Sequence, residues 1–286
     1  MPQDLAARIR ALSSPLQPRP TDARPVVESL AGIRAVLFDI YGTLVVSASG
    51  DIGLAGERDE EAAFAAACAA AGIAAPGESG PEALKAAIRR AHLRRRNDGT
   101  EFPEVDILDM WREVLGGAYD LHRLAIEYEC RVNPVWPMPG LREVLARIRA
   151  EGLILGIVSN AQFYTPLMLE AFLERPFAEL GFDPDCCAFS YQLLEAKPST
   201  AIYHAALTGL MERHAISPQE VLYVGNDMRN DVWPARQTGC RTALFAGDAR
   251  SLRLREGDPC CAQVHPDRVV TDLRQITESI LSPARN

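Results

Sequence analysis

The chain has 286 residues, of which 48% are hydrophobic and 24% are charged, so it can bury a substantial core without a disulfide framework or a structural metal. Its net charge of −8 disfavours broad binding to nucleic acid or to an anionic membrane, because both need clustered Lys and Arg. Its seven cysteines lack the C-x-x-C spacing of a zinc site, and no apolar run reaches the length of a signal peptide or a membrane span, so we expect reduced thiols and a cytoplasmic protein.

The first 30 residues are predicted to form an N-terminal extension. Residues 3–12 have the pattern of a short amphipathic helix. Residues 15–25 contain four prolines, which are typical of an extended linker. Because chain termini are often poorly ordered, we interpret this extension as flexible.

The first strand is predicted at residues 33–38, and a long helical insertion follows it. Residues 57–132 are rich in Ala, Glu, Arg and Leu, with no convincing strand. We expect helices near residues 57–72, 81–96, 104–115 and 119–131, joined to the rest by linkers near residues 45–56 and 133–139. The pattern predicts a helical cap domain at residues 49–133 and a core domain formed by residues 31–48 and 134–286.

After the insertion, short apolar runs alternate with helical patterns. The runs have the composition of strands buried on both faces, and they lie at residues 153–158, 221–224 and 242–246, with a weaker one at 186–189. The helical patterns lie at residues 141–150, 200–213 and 231–238. Strands that alternate with helices predict an α/β fold with a doubly wound, Rossmann-like parallel sheet.

Polar residues follow three of these strands directly. Asp39 ends the first, Ser159 ends the second, and Asp227 lies just after a third. Ligands of parallel sheets bind at the carboxyl ends of the strands. The pattern therefore gathers these polar groups at one edge of the sheet, where a site is expected.

Four short motifs occur in series along residues 33–250. They are Phe-Asp-Ile-Tyr-Gly-Thr-Leu at 38–44, Val-Ser-Asn at 158–160, Lys-Pro at 197–198 and Gly-Asn-Asp-Met-Arg-Asn-Asp at 225–231. Together they resemble the motifs of the haloacid dehalogenase-like superfamily. One such motif would be weak evidence, whereas four in the right order are strong.

The resemblance implies a hydrolase in which Asp39 is the nucleophile. A carboxylate can attack phosphorus or carbon to form an aspartyl intermediate that water then cleaves. Attack on a phosphate dianion meets charge repulsion, which Mg²⁺ reduces by bridging nucleophile and substrate oxygens. The metal ligands implied are Asp39, the backbone carbonyl of Tyr41, Asp227 and Asp231.

The resemblance also implies how the phosphoryl group is held. Thr43, Ser159 and Asn160 are the candidate substrate-binding residues, since hydroxyl and amide groups can donate hydrogen bonds to phosphoryl oxygens. Lys197 would neutralise the negative charge of the transition state. Each residue alone could be an ordinary cap, turn or solvated lysine, so the prediction rests on their combination at the strand ends.

Tyr41 departs from the pattern of the family's phosphatases. Those enzymes usually have an Asp two residues after the nucleophile, which protonates the leaving oxygen. Tyr41 matches the 2-haloacid dehalogenases instead, where a halide leaves without a proton, and Tyr203 also matches that branch. Against it, residues 66–74 lack the halide-binding Arg that the dehalogenases carry early in the cap.

The fourth motif is acidic, unlike that of the metal-independent dehalogenases, but it allows two alignments. Asp227 and Asp231 can form the metal-binding pair, or Asn226 can occupy the first metal position. We prefer the first alignment, because a carboxylate binds Mg²⁺ better than an amide does.

The motifs together predict a Mg²⁺-dependent phosphatase of a small phosphorylated metabolite. The alternatives are a 2-haloacid dehalogenase, favoured by Tyr41, and a catalytically weak member that binds a phosphometabolite or a partner protein. Because the cap would select the substrate and its helices carry no readable code, the sequence does not name the substrate.

Overall fold

Six parallel strands form the central sheet in the computed structural model, which describes residues 2–48, 60–74, 80–117 and 119–280. In chain order its strands are β1 (Ala35–Phe38), β4 (Ile154–Ser159), β5 (Phe182–Phe189), β6 (Val221–Gly225), β7 (Arg241–Phe245) and β8 (Arg268–Val270). Their order in the sheet is β5-β4-β1-β6-β7-β8. Helices cover both faces, so the predicted doubly wound α/β fold is confirmed.

The first strand lies inside the sheet, between β4 and β6, and all four of its residues are buried. Phe38 is in register with Ile157 of β4 on one side and with Val224 of β6 on the other. The chain leaves β1 for β4 on one side of it and returns to β6 on the opposite side. This reversal creates a crevice at the carboxyl ends of the three strands.

The core helices and the helical insertion are both present. The core helices are α6 (Leu141–Ala150), α7 (Tyr164–Leu173), α8 (Ser190–Leu193), α9 (Ala201–His214), α10 (Trp233–Gln237) and α11 (Arg274–Ile280). A π-turn at Met228–Val232 precedes α10, where the sequence pattern predicted one continuous helix from residue 231 to 238.

Four helices lie in the described part of the insertion, close to the positions predicted. They are α2 (Glu60–Ala71), α3 (Gly80–Asn97), α4 (Ile107–Leu115) and α5 (Leu121–Val132). Phe64, Trp111 and Tyr128 form their aromatic centre, with Trp111 5.4 Å from Phe64 and 5.5 Å from Tyr128 between ring centroids. The short antiparallel strands β2 (Val45–Ser47) and β3 (Val135–Pro137) flank the insertion. The predicted linker at 45–56 lies partly outside the described residues, and the domain boundaries stay a prediction.

The N-terminal segment is packed against the rest of the chain, so the prediction of a flexible extension is wrong. Helix α1 (Pro2–Leu12) buries Ile9 completely and contacts both α5 and α7. Downstream, the Thr21 hydroxyl donates to the Ala246 carbonyl at 2.7 Å, and Val26 pairs with Val269. The amphipathic pattern of residues 3–12 indicated an apolar face, but it could not indicate the surface that covers it.

No helix in the described part of the chain has the length and apolar character needed to cross a membrane.

Candidate active site

The loop after β1 holds the site's first motif in a tight turn. The amides of Thr43, Leu44 and Val45 all donate to the Ile40 carbonyl, at 2.9–3.1 Å. Gly42 has a φ of +81°, and a Cβ atom there would lie 2.5 Å from the Ser251 Cβ. Only glycine fits this approach of two loops, and the turn directs the preceding carboxylate into the crevice.

A buried cluster of charged and polar groups surrounds Asp39. Its Oδ1 accepts hydrogen bonds from the Ser159 hydroxyl at 2.9 Å and from the Lys197 ammonium at 2.7 Å. The same ammonium lies 2.6 Å from Oδ1 of Asp231. Asp39 is 6% exposed, Lys197 7% and Asp231 1%, so these charges interact with little screening by water.

Burial and charge act in opposite directions on this cluster. Burial alone would lower the pKa of Lys197, but the carboxylates of Asp231 and Asp39 outweigh that effect and raise the pKa. Burial raises the pKa of Asp231, and Lys197 only partly offsets the rise. Lys197 is therefore held as a cation between two acidic groups.

Two neighbouring side chains fix the position of Lys197. The Asn160 side-chain oxygen accepts a hydrogen bond from the Lys197 backbone amide at 2.7 Å. The Tyr223 hydroxyl lies 3.3 Å from the Lys197 ammonium and 2.9 Å from Asp231. Tyr203 donates to the Asn230 carbonyl at 2.6 Å, which supports the turn that carries Asp231.

The two candidate metal positions of the fourth motif face different partners. The Asn226 side-chain oxygen accepts from the Thr43 hydroxyl at 3.0 Å, and its amide group donates to the Ser251 carbonyl at 2.6 Å. The Asp227 carboxylate is bound by Arg255 and by the amides that open the π-turn. Asn226 thus contacts the loop of the nucleophile, whereas Asp227 acts as the cap of its own turn.

The side chains of Tyr41 and Thr43 both form hydrogen bonds within the protein, that of Thr43 to Asn226 as described above. The Tyr41 hydroxyl lies 3.0 Å from the Thr165 hydroxyl and 3.5 Å from the Met168 sulfur, and both partners belong to α7. Burial raises the pKa of Tyr41 well above its ordinary value, with the charge of Glu129 adding to the rise. The Tyr41 phenol is therefore a weak acid, and its contacts with α7 hold it in place.

A cavity of about 540 Å³ opens above Asp39 and reaches into the helical insertion. Its floor contains Asp39, Lys197 and Asp231, and helices α3, α4 and α5 contribute its upper wall. The volume lies in the range of about 300–1,000 Å³ that is typical of small-molecule sites.

Sequence reasoning missed Tyr223 and Arg255. Tyr223 lies inside the apolar run of β6, where its hydroxyl gives no pattern signal. Arg255 lies in an irregular loop 28 residues after the Asp227 that it binds. Its pairing could not be inferred from spacing, because no periodic element connects the two positions.

The family model for haloacid dehalogenase-like hydrolases matches residues 33–239. A phosphoglycolate phosphatase of Vibrio vulnificus (strain CMCP6) is 30% identical over 149 residues, which cover 51% of this chain and 57% of that protein. Another, from Vibrio parahaemolyticus, is 26% identical over 253 residues, which cover 87% of this chain and 96% of that protein. The match therefore spans little more than half the length of the first of these relatives.

Two solved structures share the fold. A dehalogenase with a bound intermediate gives a TM-score of 0.51 at 18% identity, covering 89% of this chain and all 100% of that one. A haloacid dehalogenase-like phosphatase from Thermococcus onnurineus gives 0.50 at 20% identity, covering 86% and 97%. Because dehalogenase and phosphatase fit almost equally, the fold does not decide between the two reactions.

Proposed function

We propose that this chain, which belongs to the haloacid dehalogenase-like hydrolases, is a Mg²⁺-dependent phosphatase that acts on a small phosphate monoester through Asp39. The observation that carries the proposal is the Lys197 ammonium, which lies 2.7 Å from Asp39 and 2.6 Å from Asp231. A buried cation beside a candidate nucleophile suits a reaction in which negative charge accumulates. The relatives named phosphoglycolate phosphatase add support for this chemistry.

The reaction would proceed in two displacements at phosphorus. A carboxylate oxygen of Asp39 attacks phosphorus, the bond to the ester oxygen breaks, and the departing alkoxide takes a proton from solvent water. Water then attacks the aspartyl phosphate, releasing inorganic phosphate and regenerating the carboxylate. Ser159 and Lys197 would donate hydrogen bonds to the phosphoryl oxygens, while Asn160 and Thr43 hold Lys197 and Asn226 in place.

The residues at this site fit a magnesium ion. Asp39 Oδ2 accepts no hydrogen bond from the described residues, so it is available as a ligand. The Tyr41 carbonyl and a side-chain oxygen of the fourth motif would complete a set of hard oxygen ligands. The contacts favour Asn226 over Asp227 for the fourth-motif position, which differs from the sequence-based preference, and Asp231 remains a candidate. When bound, Mg²⁺ would reduce the repulsion between nucleophile and phosphate.

One observation favours the dehalogenase alternative. Tyr41 occupies the position of the usual acid, and its tethered hydroxyl cannot readily protonate a leaving alcohol. A halide needs no proton. Against this, Asp231 adds a second carboxylate beside the nucleophile, and two acidic groups would repel a haloacid's own carboxylate.

The test is a pair of product assays on one preparation. We expect phosphate release from 4-nitrophenyl phosphate with Mg²⁺, its loss with a chelator, and no halide from 2-chloropropionate. Asp39→Asn should remove activity by at least about a thousandfold. Asp185→Asn, at an exposed position of β5, is the matched control and should be active. Chelator-resistant halide release without phosphate release would establish the dehalogenase instead.

A further inference from the structure

The upper wall of the cavity is apolar. Leu84 and Ile88 of α3, Trp111 of α4, and Tyr128 and Val132 of α5 all line it. These side chains form an apolar surface for a ligand that extends away from Asp39. An apolar wall of this size stabilises an apolar ligand group through the area that it removes from water.

The charged side chains on the same wall are either acidic or already paired with a carboxylate. Lys85 lies 2.6 Å from Glu60 and 3.1 Å from Glu82. Glu104 and Glu129 also line the cavity, and burial raises the pKa of both carboxyls. Among the described lining residues, the remaining basic side chains are Lys197 and Arg253 beside the fourth motif, and His92.

His92 does not add a positive charge to this wall. Burial lowers the pKa of His92, and the nearby Arg96 lowers it further, so the ring favours its neutral form. A second anionic group on a ligand would therefore meet no uncompensated cation among the described residues of α3, α4 and α5 that line the cavity. It would instead approach the two buried carboxyl groups.

We infer that the substrate is a phosphate ester whose organic part is bulky, apolar and uncharged, such as an aromatic alcohol. The inference rests on the proposed function, since it assigns the phosphoryl group to Asp39 and Lys197. It sets this chain apart from enzymes that bind phosphoglycolate, a two-carbon ester whose carboxylate is a second anionic group. Such a ligand would leave most of the cavity unfilled, including the apolar wall.

A kinetic series tests the inference. Ethyl phosphate, benzyl phosphate, 4-carboxybenzyl phosphate and phosphoglycolate release alkoxides of similar basicity, so differences in kcat/KM report mainly on the cavity. We expect benzyl phosphate to exceed ethyl phosphate and phosphoglycolate by at least about tenfold, because even one methylene in an apolar pocket gives about tenfold or more. The 4-carboxybenzyl ester should fall below benzyl phosphate. Preference for phosphoglycolate would overturn the inference.

A binding measurement separates this inference from the proposed function. Isothermal titration calorimetry with benzylphosphonate and with phosphonoacetate reports on the cavity whether or not turnover occurs. Benzylphosphonate should bind the wild-type protein at least about tenfold more tightly. Equal binding, or tighter phosphonoacetate, would overturn the inference even if 4-nitrophenyl phosphate is hydrolysed. Failure to hydrolyse any ester would overturn the proposed function alone.

Two variants locate the effect. Ile88→Lys places a cation on the wall and should shift the binding ratio toward phosphonoacetate, while Leu93→Lys, 60% exposed on the same helix, should not. Circular dichroism checks that each variant is folded. A binding ratio that is the same in Ile88→Lys and Leu93→Lys would contradict the assignment of this wall.

Discussion

Arg255 binds the carboxylate of Asp227 through two nitrogen atoms, with Nε 3.0 Å from Oδ1 and Nη2 2.6 Å from Oδ2. This two-point contact compensates the charge that Asp227 would otherwise offer to a metal. Asn226, its neighbour, has its side-chain oxygen against the loop that carries Asp39. If Asn226 holds the metal position of the fourth motif, as we propose, the ligand there is an uncharged amide, which predicts weak binding of Mg²⁺.

Asn226→Asp is expected to raise Mg²⁺ affinity by at least about tenfold, because it adds a formal charge at that position. The new carboxylate would face the Ser251 carbonyl, which now accepts the Asn226 amide at 2.6 Å, so the metal-free variant should be less stable. Titration calorimetry with Mg²⁺ measures the affinity. Asp227→Asn is the paired control and should change it little; a large loss in that variant alone would support the alignment that uses Asp227.

A second prediction concerns Tyr41 and the leaving group. Because the phenol is tethered to Thr165 and its pKa is raised by burial, hydrolysis should slow as the leaving alcohol becomes more basic. Tyr41→Asp should increase the rate on an alkyl phosphate by roughly 100-fold, at the low end of the range of general acid catalysis. Its effect on 4-nitrophenyl phosphate should be small, since that leaving group needs no proton.

Rates across a set of phosphate esters with graded leaving-group pKa check this prediction. Tyr41→Phe serves as the control, because it removes the hydroxyl but retains the ring. If Tyr41→Phe slows alkyl esters selectively, the phenol is the proton donor after all. A wild-type rate that is independent of the leaving group, with chemistry rate-limiting, would show that another group supplies the proton.

The third prediction concerns Ser159, whose hydroxyl donates to Asp39 Oδ1 at 2.9 Å. Ser159→Ala should lower kcat by roughly 10²-fold, in the range for loss of one donor that stabilises transition-state charge. KM should change less than kcat. Ser199→Ala, on the loop that follows Lys197, is the matched control and should retain kcat. Comparable losses of kcat in both variants would indicate that the substitutions disturb the loops in general, and would contradict a specific role of the Ser159 hydroxyl.

The convergence of the site could be predicted because buried parallel strands have continuous apolar sequences. The runs that end at Asp39, Ser159 and Gly225 are β1, β4 and β6, and these are adjacent in the sheet. The sequence indicated that the carboxyl ends of these strands share one edge of the sheet, while their order in the sheet is a finding of the structure. The short strand β8 was missed, since three residues give too little periodicity to distinguish a strand from a loop.

Side-chain direction within the site could not be predicted in the same way. Asn226 and Asp227 are adjacent, and their different partners depend on the loop at residues 248–255, which has no regular structure to predict. The docking of α1 could not be predicted for a similar reason. Its apolar face was visible in the sequence, but α5 and α7, which cover it, lie more than a hundred residues away.

Helix α1 joins the helical insertion to the core, which leads to the last prediction. Arg8 pairs with Glu127 of α5, and Arg10 donates to the Ala171 carbonyl of α7 at 2.8 Å. Burial alone would raise the pKa of Glu127, but hydrogen bonds from Arg8 and Arg131 outweigh it and lower the pKa. Arg8→Ala should therefore reduce the free energy of unfolding by about 1–3 kcal/mol at neutral pH.

The pH dependence distinguishes this ion pair from ordinary packing. A carboxyl whose pKa is lowered by folding contributes stability above its unfolded pKa of about 4.3, and that contribution is lost as the pH falls toward the folded pKa. The difference between wild type and Arg8→Ala should thus shrink from pH 7 to about pH 3.5. Arg10 also pairs with the exposed Glu174, so Arg10→Ala is compared in a Glu174→Gln background, where the neutral Ala171 carbonyl is its remaining partner among those described and the difference in urea unfolding should be nearly constant. An Arg8→Ala difference that persists unchanged at low pH would mean that the side chain stabilises the protein by packing rather than by charge.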